Sequence, residues 1–68
     1  MKIVDARGLS CPEPVLMTKR AVKDGEFPFR VLVNDETPKE NVIRFAKNNG
    51  FKTELSSEED EYIIEISK

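Results

Sequence analysis

The order of strand and helix signals predicts an α+β fold, a two-layer sandwich with the element order β-α-β-α-β-β. Two observations carry this. Apolar residues alternate with a period of two in the strand segments and recur near 3.6 in two others. Prolines mark the start, and glycines the stop, of each helical segment. Right-handed β-α-β crossovers then place both helices on one side of the sheet and leave the other face more exposed. With 68 residues the chain is expected to form a single domain over 1–68, with no repeat, linker or low-complexity segment.

The elements follow in order. Ile3-Val4-Asp5-Ala6 reads as the first strand, and Arg7-Gly8-Leu9-Ser10 as the turn after it, with Gly8 supplying an unusual backbone angle. The first helix is expected to start at Cys11 or Pro12 and run to Asp24. Val15, Thr18, Ala21 and Val22 form its inner side, Lys19, Arg20 and Lys23 its polar side, and Gly25 its stop. Phe27 to Val33 alternates as a second strand, with Phe27, Phe29, Val31 and Val33 on one face and Pro28 restricted to the strand's start or to an edge. Thr37-Pro38-Lys39-Glu40 has the form of a capping box, with Thr37 as N-cap of a second helix whose apolar stripe is Pro38, Val42, Phe45 and Ala46. Asn48-Asn49-Gly50 ends that helix, with Gly50 left-handed and Phe51 placed for the hydrophobic contact that follows. Phe51–Leu55 and Tyr62–Ile66 are the last two strands, and Ser56–Glu61 is the loop between them. Its run of four acids is expected to be a solvated turn.

Composition removes most chemistries. The chain has one cysteine and no histidine, which excludes an intrachain disulfide, a Cys/His metal site and a cysteine-protease pair. No metal and no cofactor are expected. A formal net charge of −2, with cations interleaved among acids, gives no drive towards nucleic acid. No stretch approaches the roughly 20 apolar residues that cross a bilayer. A lone thiol suits a reducing compartment, so a soluble cytoplasmic protein is expected.

Cys11 holds most of the chemistry that remains. It stands in Gly8-Leu9-Ser10-Cys11-Pro12-Glu13-Pro14, at or beside a helix start. The free N–H groups and positive dipole end of a helix favour a thiolate there, and such sites lower a thiol pKa from about 8.5 towards roughly 3.5–7.5. Pro12 and Pro14 would start the helix and hold the sulfur outward. Glu13 helps the helix but competes with the thiolate for the same dipole. No resolving cysteine exists for a thioredoxin-type cycle within one subunit. What one thiolate can do alone is exchange with thiols or carry sulfur, with partners supplying the second sulfur group. The competing reading makes Cys11 an ordinary helix-cap residue of a regulatory interaction module.

The segment Asp5–Val15, with its Cys11-Pro12-Glu13-Pro14 core, resembles the Cys-Pro-X-Pro signature of the TusA-like (SirA-like) sulfur-carrier family. Val33-Asn34-Asp35-Glu36, Lys39–Ala46 and Asn49-Gly50-Phe51 are similar to the amino-terminal domain of YedF-type members, which commonly carry a second, DsrE-like domain. The resemblance implies a mixed sheet in strand order 1-2-4-3, as in the C-terminal domain of translation initiation factor 3. RNA association by analogy with that fold is a weak alternative, opposed by the charge balance.

The resemblance also implies that Cys11 accepts sulfane sulfur as a persulfide and relays it. A donor such as a cysteine desulfurase or a rhodanese-like protein would load it, and an acceptor protein would unload it. Gly8, Pro12, Glu13 and Pro14 would shape the site, and Arg7, Lys19, Arg20 and Lys23 are candidates for partner docking. Destinations implied by the family are thiolated tRNA, molybdenum cofactor and oxidative sulfur metabolism, with selenium handling as the YedF-linked alternative. A monomer is expected.

Overall fold

The computed structural model describes residues 2–9, 13–25 and 27–68. The elements are β1 (Lys2–Asp5), α1 (Glu13–Asp24), β2 (Phe29–Val33), α2 (Glu36–Asn48), β3 (Lys52–Glu58) and β4 (Glu61–Ser67). They build one mixed sheet in the order β1-β2-β4-β3. β1 and β2 run parallel, with Val4 opposite Val31, while β4 is antiparallel to both β2 and β3. This is the expected α+β sandwich, with the expected strand order.

Alternation along the strands defines the core. Val4 on β1, Phe29, Val31 and Val33 on β2, and Ile64 and Ile66 on β4 are buried, and α1 and α2 close over them with Ala21, Val42 and Ala46. On the open face, Arg30 of β2 stands opposite Glu65 of β4 and bonds it, Nε to Oε1, at 3.1 Å. Ile3 is exposed at the sheet's margin. Thr18 is a buried polar residue beside this core, and its hydroxyl donates to the Pro14 carbonyl at 2.8 Å. That bond explains how a hydroxyl sits in an apolar stripe at little cost.

Several boundaries differ from those the sequence predicts. α2 begins at Glu36 with Asp35 as N-cap, so Thr37 does not cap it and the expected capping box is absent. The Lys39 N–H donates to the Asp35 carbonyl at 3.2 Å. Pro38 therefore lies in the first turn but not at its first position. The fold tolerates this because an N–H at the third helical position has no intrahelical partner, and the Pro38 ring is buried. The far end is as expected: Gly50 has φ +79, its N–H reaches the Lys47 carbonyl at 3.1 Å, and the Phe51 N–H reaches that of Ala46 at 3.0 Å. These are the paired bonds of a Schellman motif.

β3 and β4 are longer than their apolar cores suggest. Pairing continues to Glu58 opposite Glu61, so the expected Ser56–Glu61 loop shrinks to a two-residue turn with φ +54 at Glu59. Backbone pairing extends the ladder through polar residues that periodicity reads as loop. β2 starts at Phe29 rather than Phe27, because Pro28 ahead of it cannot donate to a ladder. Phe27 instead packs its ring against Phe29 and Phe51, with centroids 5.4 and 5.0 Å away. β1 begins and ends one residue earlier than expected, although Ala6 still donates its N–H to the Leu32 carbonyl at 2.9 Å.

Candidate functional site

Parallel pairing of β1 with β2 brings the segment after β1, the start of α1, the β2–α2 junction and the β3–β4 turn to one end of the sheet. Cys11, Ser10 and Pro12 lie outside the described residues, so the site is built from its two flanks.

On the upstream flank, Ala6 to Leu9 form a tight turn closed by Leu9 N–H to Ala6 carbonyl at 3.4 Å. Gly8 takes φ +78 at the third position, the geometry of a type II turn, which strongly favours glycine. Space for a Cβ is open there, so the backbone angle alone demands Gly8. Its N–H donates to Asn34 Oδ1 at 3.0 Å.

Arg7 is fully engaged. Its Nε and Nη2 fork onto the Asp5 carboxylate at 2.9 Å each, and Nη1 reaches Glu61 Oε2 at 2.6 Å. The side-chain bond from Arg7 holds Asp5 at about 2, well below its ordinary 3.8, and Asp5 and then Glu61 hold the guanidinium above its ordinary range. Exposed ion pairs contribute little singly, but bidentate geometry within a network is the favourable case. One of the four acids taken for a solvated turn therefore ties β4 to the turn after β1.

On the downstream flank, Glu13 opens α1 and is exposed, while Pro14 is fully buried. The second motif proline thus anchors the helix start in the core rather than only limiting its angle. Glu13 leaves an acid in the first turn.

Of the four basic candidates, Arg7 is in the turn after β1, and Lys19, Arg20 and Lys23 are on α1. Arg7 is neutralised as described. Lys19 lies 5.8 Å over the Phe45 ring of α2. Arg20 lines a hollow at the β1 edge with Ile3, Met17 and Asp24. Lys23 is in the last turn of α1, about 15 Å along the axis from the helix start. Asn34, Asp5 and Glu61 are site neighbours that sequence reasoning missed. Asn34 had a signal, an amide at a strand end next to a helix start, whereas the pairing of Glu61 with Arg7 needs the register of β4. Among the described residues no cluster of His, Cys, Asp and Glu could hold a metal ion, and no helix is long and apolar enough to cross a membrane.

The model of the sulfurtransferase TusA family matches residues 2–68. The chain belongs to the TusA family. Among relatives, a candidate sulfur carrier protein of Methanocaldococcus jannaschii is 42% identical over 71 residues, spanning 100% of this chain and 95% of that protein. Another, from Archaeoglobus fulgidus, is 35% identical over 72 residues, spanning 100% and 97%. The crystal structure of a SirA-like protein from Desulfitobacterium hafniense superposes with a TM-score of 0.87 at 26% identity, covering 97% of this chain and 95% of that one. The TusA-family fold and the family's sulfur-carrier role therefore apply to the whole span described above.

Proposed function

We propose that the chain carries sulfane sulfur as a persulfide on Cys11. The observation that supports this most directly is that a TusA-family chain with one cysteine and no histidine has a single nucleophilic sulfur. That sulfur is two residues ahead of Glu13, where α1 begins. In the loading step the Cys11 thiolate attacks the terminal sulfur of a donor persulfide. A new S–S bond forms to Cys11, the donor's S–S bond breaks, and the donor's thiolate leaves. In the unloading step an acceptor thiolate attacks the same sulfur and the Cys11 thiolate leaves. No net oxidation occurs in either step, so neither a cofactor nor a resolving cysteine is needed. Donors of the cysteine desulfurase or rhodanese kind and a thiol-bearing acceptor protein fit these steps.

The turn and the buried Pro14 would hold the cysteine segment close to the helix N-terminus, where unpaired N–H groups stabilise thiolate and persulfide anions. Incubation with a cysteine desulfurase and cysteine should add about 32 Da, one sulfur atom, to the chain. Cys11→Ser should add nothing. Equal uptake by both chains, or none by either, would remove this reading.

A further inference from the structure

In a type II turn the N–H of the third residue takes no part in the turn's own hydrogen bond. At Gly8 that N–H donates to Asn34 Oδ1 at 3.0 Å, across 26 residues of sequence. Gly8 and Asn34 are both exposed. Water can replace either partner, so the bond adds little to global stability. What it adds is a fixed link between the turn before residues 10–12 and the β2–α2 junction.

Asn34 is itself well held. Val33 before it is buried and stands opposite Tyr62 in the sheet. Asp35 after it caps α2, and its carbonyl accepts the Lys39 N–H. On the other side of residues 10–12, Pro14 is buried and its carbonyl accepts the Thr18 hydroxyl.

We infer that Asn34 is a positioning residue for Cys11, its side-chain oxygen setting the point from which the cysteine segment leaves the turn; this rests on the carrier reading above. Stabilisation of an anion by a helix N-terminus fades within one turn. The departure point therefore affects both the thiolate fraction and how the sulfur meets its donor. The contact through which Asn34 acts is its bond to the Gly8 N–H.

The test compares the full chain with Asn34→Ala in three measurements: the pH profile of Cys11 alkylation by iodoacetamide, amide exchange at Gly8, and thermal unfolding. The expected result is an almost unchanged unfolding temperature, faster exchange at Gly8, and an alkylation midpoint moved towards the ordinary thiol value of about 8.5. The alkylation rate at neutral pH should fall about threefold to tenfold. An unchanged midpoint and rate would overturn the inference, and so would a general loss of folded protein, which would make the bond merely structural. If the wild-type chain takes up no sulfur, the carrier reading fails, yet the alkylation comparison still decides the role of Asn34.

Discussion

Asp5 shows how a single side chain reports the state of the turn. Its carboxyl is held at about 2 by Arg7, against an ordinary 3.8. A depressed carboxyl pKa contributes stability that is present above the unfolded value and lost as pH falls through the folded one. The window is therefore about pH 4 down to about pH 2. Asp5→Asn lacks this contribution at every pH. The gap in unfolding temperature between it and the wild type should be constant above about pH 5 and close towards about pH 2, as scanning calorimetry would show. A gap that stays the same across that range would mean that Arg7 does not hold the carboxylate in solution. At this scale the sequence is informative about Gly8, whose turn demands a positive φ. It was silent about Asp5 and Glu61, because ion pairs between distant segments depend on strand register and leave no local pattern.

Elements were legible where a backbone rule acts locally. The Schellman end of α2 follows from Gly50 and Phe51, and the strand alternation from Phe29, Val31 and Val33. The start of α2 was misplaced because Thr37-Pro38 and Asp35-Glu36 offer competing caps two residues apart, and proline tolerates either frame. The structural frame makes a clear prediction. Thr37→Ala should change stability by less than about 0.5 kcal/mol in urea unfolding, since Thr37 is exposed and caps nothing. A loss of about 1 kcal/mol or more would restore Thr37 as the N-cap. The same logic applies to the β3–β4 hairpin, where pairing to Glu58 and Glu61 overrides side chains that read as loop.

Across residues 2–68 stability rests on one core. A chain of this length has roughly 3–10 kcal/mol to spare, with no disulfide available from its single cysteine. Phe29 is fully buried among Val31, Val33, Ile64 and Ile66. Phe29→Ala should cost about 3–5 kcal/mol and leave much of the chain unfolded, read as loss of cooperative thermal unfolding by circular dichroism. A sharp transition close to that of the wild type would show that the core is less concentrated than the burial implies. That core serves the site, since Pro14 is part of the buried layer and fixes where α1 begins. The second motif proline thus belongs to the packing as well as to the motif, whereas the Arg7–Glu61 pair depends on strand register and leaves no mark in the local sequence.

The central claim concerns a sulfur atom that arrives and leaves, so the most direct measurement follows both events on one sample. The chain is loaded by a cysteine desulfurase with cysteine, separated from the donor, exposed to a thiol acceptor and weighed at each stage by intact-mass spectrometry. The account predicts a gain of about 32 Da located on the Cys11 peptide, then a return to the original mass as one sulfur passes to the acceptor. Sulfur that is found elsewhere in the chain, or that stays on Cys11 in the presence of the acceptor thiol, would contradict it.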